Sequence, residues 1–257
     1  TWSMMPSLSP DLRSAADLIG RAERVFVLAG AGMGTESGIP DFRGPGGLWT
    51  RDPAAQRMFD LDAYRSDPQL REAAWRLRMA SEIRTAAPNA GHVALARWEE
   101  ERTVTIATQN IDGLQQRAGS TTVLELHGTY WEWMCLTCDR RGPVTEAFAR
   151  VTAGEADPAC LACGGILKSG TVAFGQPLPR ATWDAAVAAA RGCDVAVAIG
   201  TTLAVQPAAS LCSVAVSAGA PLIIINGEAT PYDDVATVTL HERIGPTLTA
   251  LTRAWSH

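Results

Sequence analysis

Short apolar runs recur along the chain, and segments with the residue spacing of amphipathic helices lie between them. Each run is rich in apolar or β-branched residues, which is typical of a strand buried in a parallel sheet. The four runs are Arg24–Ala29, Thr103–Thr108, Val195–Ile199 and Leu222–Ile225. Strands that alternate with helices predict an α/β fold, in which helices cover both faces of a doubly wound parallel sheet.

A helix is predicted before the first run. Ser9 and Pro10 precede residues 11–22, whose apolar positions follow helical spacing, so Ser9 is expected to cap this helix. Two longer segments break the alternation of strands and helices. Residues 44–91 are helical in pattern and rich in Arg, Met and Trp, and residues 131–168 contain two CxxC pairs. We interpret both as insertions that pack on the main sheet and leave a cleft between two lobes.

The composition is that of a globular protein with a full core. With 257 residues, 47% of them hydrophobic, the chain can form one large domain and a smaller inserted module. Its net charge of -5 argues against intrinsic nucleic-acid binding. Residues 185–200 form one of the longest apolar stretches, but Arg191 and Asp194 interrupt it, so no membrane span is expected. The first residues lack a signal-peptide pattern, and we expect a cytoplasmic protein.

A glycine-rich segment, residues 30–34, follows the first predicted strand. Such a turn can present backbone N–H groups to a phosphate, although a strand-to-helix turn without a ligand has the same pattern. In dinucleotide-dependent oxidoreductases, a second strand follows and ends in an acidic residue that binds ribose. Residues 40–47 contain two prolines and three glycines and cannot form that strand, which disfavours hydride transfer.

Four of the six cysteines form two CxxC pairs. Two pairs supply four thiolates to one tetrahedral Zn²⁺, which leaves no position for substrate and indicates a structural site. A redox CxxC is the alternative. The expected ligands are Cys135, Cys138, Cys160 and Cys163. The remaining Cys193 and Cys212 have apolar neighbours and are predicted to be buried thiols without a chemical role.

Five segments, in this order along the chain, resemble the signature motifs of the sirtuin family. They are residues 30–43 (GAGMGTESGIPDFR), 108–114 (TQNIDGL), 126–128 (LHG), 174–179 (FGQPLP) and 200–209 (GTTLAVQPAA). The CxxC pairs lie between the third and fourth segments. Several long motifs in a fixed order are far more specific than a single glycine loop.

The resemblance implies a Rossmann-like NAD-binding domain of residues 1–44, 92–130 and 169–257. A helical insert, residues 45–91, and a zinc-binding insert, residues 131–168, would form the smaller lobe. It also implies a bacterial-type NAD-dependent protein lysine deacylase that consumes NAD and holds one structural Zn²⁺. In the implied reaction the acyl oxygen attacks the ribose carbon that bears nicotinamide, and the products are nicotinamide, free lysine and O-acyl-ADP-ribose.

The resemblance assigns a set of residues to NAD. Phe42 would screen nicotinamide from the reacting carbon and Arg43 would meet the diphosphate or order its loop, although a core Phe beside a surface Arg has the same pattern. Leu240, where the match is looser, is assigned to adenine. The expected NAD contacts are Gly30, Ala31, Gly32, Thr35, Asp41, Phe42, Arg43, Gln109, Asn110, Ile111, Asp112, His127, Gly200, Thr201, Thr202, Asn226, Gly227, Glu228 and Leu240.

His127 and Asn110 are the catalytic candidates. Imidazole titrates near neutral pH and can accept a proton from a ribose hydroxyl. The residue pattern alone favours a structural histidine, and the match to the family's His-Gly motif assigns catalysis to His127. Asn110 and Asp112 follow a predicted strand, where doubly wound folds bind ligands, and a turn cap is the alternative for both.

Two further segments, residues 172–175 and 203–205, are expected to be backbone strands on either side of the cleft. They look like the family's peptide clamp, in which an acyl-lysine protein or peptide adds an extra strand. Val172, Phe174 and Gly175 are expected on one side of this clamp. Leu203 and Val205 are expected on the other. We expect the enzyme to be a monomer.

Some positions depart from the family pattern. Gly34 stands where Ser is common, which adds flexibility to the cofactor loop, and Gln176 stands where an acid is common. Relatives that accept succinyl or malonyl groups carry a Tyr-x-x-Arg pair that is missing here, and residues 75–78 (WRLR) are interpreted as a solvated helix face. Acetyl is therefore the expected acyl group, with longer apolar groups open.

Two other functions are compatible with these motifs. Mono-ADP-ribosyl transfer would use the same NAD pocket and would leave a mass increase on the acceptor protein. A binding module that depends on NAD or zinc would not need Gln109, Asn110, Asp112 and His127 together, and it would release nicotinamide slowly or not at all.

Overall fold

The four predicted strands are all present in the fold. The computed structural model describes residues 9–41, 47 and 52–255. The strands are β1 (Arg24–Ala29), β2 (Thr103–Thr108), β3 (Val123–Glu125), β4 (Gly128–Cys135), β5 (Arg141–Pro143), β6 (Leu167–Thr171), β7 (Val195–Ile199), β8 (Leu222–Ile225) and β9 (Val238–Leu240).

Helices occupy much of the chain between the strands. The α-helices are α1 (Pro10–Arg21), α2 (Gly32–Thr35), α3 (Leu61–Ser66), α4 (Pro68–Met79), α5 (Ala90–Trp98), α6 (Leu114–Arg117), α7 (Val144–Thr152), α8 (Arg180–Gly192), α9 (Ser210–Ser217) and α10 (Ile244–Trp255). Short 3₁₀ helices span Pro53–Phe59, Glu82–Arg84 and Asp233–Val235. None of the helices in the described ranges has the length and apolar character needed to cross a membrane.

The main sheet is parallel and doubly wound. Its strand order is β3-β2-β1-β7-β8-β9, and neighbouring strands pair in parallel throughout. Helices α1, α5 and α10 pack on one face, and α8 and α9 pack on the other. Because both faces are covered, β7 and β8 are buried at every residue, which explains their unbroken apolar sequence.

The predicted first helix begins where its cap was expected. Ser9 Oγ accepts a hydrogen bond from Leu12 N at 3.2 Å, and Pro10 is in the first turn. A serine oxygen satisfies an N–H group that has no partner within the helix, and proline needs no such partner. The buried residues Leu12, Ala15, Ala16 and Ile19 then face the main sheet.

A second, antiparallel sheet forms a smaller lobe. Its order is β5-β4-β6, and its core includes Trp75, Tyr130 and Phe148 together with Cys135 and Cys160. Helices α4 and α7 contribute Trp75 and Phe148, respectively. The smaller lobe is therefore built from both segments that break the strand–helix alternation.

The structure corrects two details of the predicted arrangement. The two clamp segments are not strands. Phe174 forms an isolated bridge with Asp60 outside the strands, and Leu203 has a φ of 53°, which lies outside the β region. The segment WRLR is not wholly solvated, because Trp75 is fully buried while the Arg76 side chain is 63% exposed.

The cysteines outside the CxxC pairs lie in apolar surroundings beside α8 and α9. Cys212 is buried and Cys193 is half-buried. Burial raises the pKa of Cys212 to about 12 and that of Cys193 to about 11, so both are protonated thiols near neutral pH. Cys212 is thus the buried thiol that was predicted, whereas Cys193 is only half-buried.

Candidate functional site

A cavity of about 1110 Å³ opens at the carboxyl edge of the main sheet. We call it the sheet-edge cavity. Its wall includes residues that come directly after β1, β2, β7 and β8, and His127 shortly after β3. Strands β2 and β3 lie on one side of β1, and the later strands β7, β8 and β9 lie on the other, so the strand order reverses between β1 and β7. Doubly wound folds bind ligands at this position.

Two glycine loops touch each other in the wall of this cavity. Gly30 N donates to Ile199 O at 2.9 Å, and Gly32 N donates to Gly200 O at 2.8 Å. A Cβ atom on Gly30 would lie 2.6 Å from Gly200 O, and one on Gly32 would lie 2.7 Å from Gly200 Cα. The glycines therefore allow two backbones to approach each other, in addition to any contact with a ligand.

The residues after β2 connect these loops. Gln109 N donates to Ala29 O at 2.9 Å, and Gln109 Nε2 donates to Thr201 Oγ1 at 3.0 Å. Asn110 Nδ2 donates to Gly30 O at 3.0 Å. This hydrogen bond fixes the orientation of the Asn110 amide, and its side-chain oxygen can accept a hydrogen bond from another group. Three loops are thus joined at one edge of the sheet.

Asp112 is 5% exposed and lines the same cavity. Its carboxylate accepts a hydrogen bond from Leu114 N at 2.8 Å, and its carbonyl accepts one from Trp131 Nε1 at 2.7 Å. Burial raises the pKa of Asp112, and the bond from Leu114 opposes that rise. The turn-cap arrangement that the sequence left open is therefore present, and it coexists with a position in the cavity wall.

His127 faces the cavity with one ring nitrogen already engaged. Its Nδ1 lies 3.0 Å from Gln109 O, and a carbonyl can only accept a hydrogen bond, so Nδ1 carries the proton in the neutral ring. The Nε2 atom then carries the lone pair. Burial lowers the pKa of His127, and the bond to Gln109 opposes this. A neutral ring with a basic Nε2 can accept a proton near pH 7.

The other described histidines have structural contacts. His92 Nδ1 accepts a hydrogen bond from Asn89 N at 3.2 Å at the start of α5, and burial lowers the pKa of His92 to about 4. His241 Nδ1 donates to Asn226 O at 2.9 Å. Among the residues that the structure describes, His127 is the histidine that lines the sheet-edge cavity.

Most of the predicted contacts lie together in this wall. Those found there are Gly30, Ala31, Gly32, Thr35, Asp41, Gln109, Asn110, Ile111, Asp112, His127, Val172, Phe174, Gly175, Gly200, Thr201, Thr202, Val205, Asn226, Gly227 and Glu228. Leu203 and Leu240 are instead packed in the core, 2% and 3% exposed, because their apolar side chains turn away from the cavity. Phe42 and Arg43 lie outside the described residues.

Several cavity residues were not among the predicted contacts. Phe59 ends the 3₁₀ helix Pro53–Phe59, Ile83 lies in Glu82–Arg84, and Trp183 lies on α8. Each comes from a region without a sequence motif, and only the packing of the lobes brings them to the cavity. Arg243 is also there, 3.6 Å from Glu36. In the sequence, the one indication that Arg243 could reach the cavity was its position near Leu240, where the match to the family is looser.

The four CxxC cysteines converge in the smaller lobe. Their Sγ atoms all lie within 4.8 Å of one another, and the pairs Cys135–Cys163 and Cys138–Cys160 are 3.5 and 3.8 Å apart. Zn–S bonds of about 2.3 Å in a tetrahedron require sulfur atoms about 3.8 Å apart. The cluster therefore fits one structural Zn²⁺ with four thiolate ligands, as the spacing predicted.

Comparison with known proteins gives consistent relationships. The sequence pattern of the Sir2 family matches residues 30–207. NAD-dependent protein deacetylase 2 of Streptomyces coelicolor is 48% identical over 232 residues, which cover 89% of this chain and 96% of that protein.

Solved structures extend the similarity to three dimensions. A complex of Sir2 with a p53 peptide and NAD⁺ has a TM-score of 0.85 at 32% identity, covering 94% of this chain and 97% of that one. Sir2Tm bound to a propionylated peptide has a TM-score of 0.84 at 31% identity, with the same coverage. With its motifs gathered at one sheet edge and these matches along nearly its full length, the chain belongs to the Sir2 family.

Proposed function

We propose that this chain is an NAD-dependent protein lysine deacylase. It transfers an acyl group from a lysine side chain to the ADP-ribose part of NAD⁺ and releases nicotinamide. The relative at 48% identity is named a protein deacetylase, and similar structures hold peptides, one of them with NAD⁺. These names describe other proteins, and the residues of the sheet-edge cavity support the same activity here.

The observation that carries the proposal is the bond between His127 Nδ1 and Gln109 O. It leaves Nε2 as the basic nitrogen, and His127 lines the cavity that Asn110 and Asp112 also line. His127 would accept a proton from a ribose hydroxyl, which then attacks the carbon of the transferred acyl group. NAD⁺ supplies the ribose hydroxyl and the nicotinamide leaving group.

The remaining roles follow from position around the cavity. Asn110 would orient the ribose or the attacking groups through its side-chain oxygen, and Asp112 would receive the nicotinamide amide. The diphosphate would be bound by backbone N–H groups and hydroxyls after β1 and β7, including those of Thr201 and Thr202. Asn226 and the residues after β8 would hold the adenosine ribose.

Zn²⁺ would be bound by the four cysteines and would supply folding energy to the smaller lobe. Four thiolates fill a tetrahedral site and leave no position for water or substrate.

We also propose that the enzyme is cytoplasmic, because free thiols that bind metal persist in a reducing compartment. It would act as a monomer on protein or peptide substrates, without nucleic-acid or membrane contact.

Acetyl is the proposed acyl group, with longer apolar chains accepted. Apolar side chains such as Ile39, Phe59 and Ile83 contribute to the cavity wall. Within the described part of that wall the arginine and lysine residues are Arg180 and Arg243, whose side chains are 94% and 79% exposed. Among the described residues of the wall, an acidic acyl group would therefore meet no buried arginine or lysine to offset its desolvation.

Mass spectrometry of the products tests the proposal. The wild-type chain and His127→Ala are incubated with NAD⁺ and peptides that carry acetyl-, succinyl- or myristoyl-lysine. We expect O-acetyl-ADP-ribose and deacetylated peptide from wild type, and a loss of at least about 100-fold in the variant. Bound zinc and the thermal midpoint of His127→Ala control for folding.

Other outcomes would contradict the proposal. Nicotinamide release without loss of any acyl group, together with a mass increase on an acceptor protein, would indicate ADP-ribosyl transfer. Full deacylation by His127→Ala would remove the proton-acceptor role. Succinyl-lysine turned over faster than acetyl-lysine would contradict the proposed acyl preference.

A further inference from the structure

Lys168 is the only lysine in the chain. It lies on β6 and is 2% exposed. A lysine is rarely buried to this degree, because its amino group loses hydration unless other groups replace it. The groups that replace water at Lys168 are backbone carbonyls of its own strand.

Two carbonyls accept hydrogen bonds from this amino group. Lys168 Nζ donates to Ser169 O at 2.9 Å and also donates to Thr171 O. Ser169 Oγ and Thr171 Oγ1 lie 2.8 Å apart and share a further buried hydrogen bond. The lysine side chain thus folds back along β6 and fixes the end of this strand.

The pairing of β6 with β4 is irregular at this point. Gly128 pairs with Thr171, but Trp133 pairs with Ser169, so β4 contains additional residues between the two pairs. Extra residues disrupt the ladder of hydrogen bonds, and buried carbonyls near such a site need other donors. Lys168 provides donors where regular pairing is interrupted.

The fixed end of β6 continues into the sheet-edge cavity. Thr171 and Val172 line the cavity, and Val172 N donates to His127 O at 2.8 Å. Phe174 N then donates to Phe59 O at 2.7 Å. A shift at the end of β6 would therefore move one wall of the proposed peptide cleft and strain its bond to the backbone of His127.

We propose that Lys168 is a positioning residue for the acyl-lysine substrate, because its amino group holds the end of β6 and thereby the cleft wall that begins at Thr171. The inference rests on the proposed deacylase function. Lys168 itself is outside the cavity wall as described. Its effect on the substrate is transmitted through Thr171 and Val172.

The two hydrogen bonds do not depend on the charge of Lys168. Burial, with Arg78 and Arg141 nearby, lowers the pKa of Lys168 to about 7. A protonated amine has three N–H donors and a neutral amine has two, and either number is enough for two carbonyls. At pH 8 the neutral, nucleophilic form prevails, so a slow reaction with an acylating reagent would report burial.

Substitution at Lys168 tests the inference through separate Michaelis constants for peptide and NAD⁺. Lys168→Met keeps the aliphatic stem and removes the donors, whereas Lys168→Arg keeps a cationic donor. Arg141→Met is the matched control, because it removes a nearby cation from β5 and leaves both carbonyl contacts in place. Zinc content and thermal midpoint are measured for every variant.

We expect Lys168→Met to raise the KM for acetyl-lysine peptide about tenfold, while the KM for NAD⁺ changes less than about twofold. Lys168→Arg should recover most of the loss, and Arg141→Met should resemble wild type. An unchanged peptide KM in Lys168→Met would overturn the inference, as would equal increases in both Michaelis constants. If wild type itself does not deacylate, the proposed function fails instead, so the two failures are distinguishable.

A second measurement uses the wild-type chain if Lys168→Met does not fold. Because there is no other lysine, succinimidyl acetate modifies two amino groups, those of Lys168 and the chain terminus, which peptide mapping separates. Without NAD⁺, saturating acetyl-lysine peptide should slow the modification of Lys168 and leave that of the terminus unchanged. Equal rates with and without peptide would overturn the inference.

Discussion

The main sheet and the smaller lobe are held together by different kinds of interaction. Strands β7 and β8 are buried at every residue and consist of Val, Ala, Leu and Ile. In the smaller lobe, β5 has three residues, and specific polar groups contribute beside the apolar core. These groups are the four clustered cysteines, the buried Lys168, and Arg71 with Asp157.

This difference implies a difference in tolerance. Apolar burial depends on total volume and pattern, so the main sheet can accept many conservative substitutions. Polar groups in a small core depend on individual partners, and the loss of one partner leaves the other without compensation. We therefore expect single polar changes to disable the smaller lobe while the main sheet stays folded.

Removal of one metal ligand should separate the stabilities of the smaller lobe and the main sheet most strongly. Cys160→Ser is expected to lose zinc and unfold the smaller lobe, because binding of a structural Zn²⁺ is worth on the order of 10 kcal/mol. Deacylation should disappear, and calorimetry should still show a transition from the main sheet. Cys193→Ser is the control, and it should keep one zinc per chain. Zinc loss in both variants would contradict this picture.

Arg71 offers a smaller test within the same lobe. Its Nη2 lies 2.8 Å from Asp157 Oδ2, and its Nη1 donates to Tyr64 O at 3.1 Å and to Arg65 O at 3.0 Å. Arg71→Met should lower the free energy of unfolding by about 2–3 kcal/mol, because Asp157 and two carbonyls lose their donor. Urea unfolding measures the change.

Arg65→Met is the matched control for this prediction. The Arg65 side chain is exposed, so its removal should change the free energy of unfolding by less than about 0.5 kcal/mol. Similar losses in the two variants would show that the buried ion pair has no special contribution.

His127 lies at the junction of the two regions, and its titration should be visible in the rate. Burial lowers the pKa of His127, so the ring is neutral near pH 7. It becomes protonated at a lower pH than an ordinary histidine does. A protonated ring cannot accept a proton, and kcat/KM should fall about tenfold per pH unit below that pKa. The pH profile is recorded with zinc content at each point. A flat profile to pH 5 with zinc retained would contradict the role of His127.

The smallest expected effect concerns the loop after β1. A Cβ atom on Gly34 would have room, 3.5 Å from Ile39 Cβ and 3.7 Å from Asp112 Oδ2. Gly34→Ser should therefore raise the free energy of unfolding by about 0.5 kcal/mol, because glycine is a poor helix former. Gly38 has a φ of +83°, a conformation that is strained for serine. Gly38→Ser should therefore lower the free energy of unfolding by about 1 kcal/mol. Urea unfolding of both variants should give opposite signs.

The sequence was most informative where the core is apolar. The runs in β1, β2, β7 and β8 predicted their strands, because complete burial requires apolar residues in sequence. Strands β3 and β9 have three residues each, too few to produce a periodic signal. Leu240 was consequently assigned to a ligand, whereas it packs in the core as part of β9.

The candidate site was predictable only in part. Motifs predicted the residues after the strands, because the carboxyl ends of parallel strands meet at one edge. They gave no indication of Phe59 or Trp183, which reach the cavity only through the packing of distant segments. The role of Lys168 was equally hidden, since its partners are carbonyls and a carbonyl has no sequence signature.

The contact between the loops after β1 and β7 limits how this enzyme could be re-engineered. Any side chain at Gly30, Gly32 or Gly200 would push the two loops apart before it reached a dinucleotide. Gly227, by contrast, has open space around it and lies in the same cavity wall. A mutant library aimed at altered nucleotide selectivity should therefore keep Gly30, Gly32 and Gly200 and vary the cavity wall at Gly227 and Glu228.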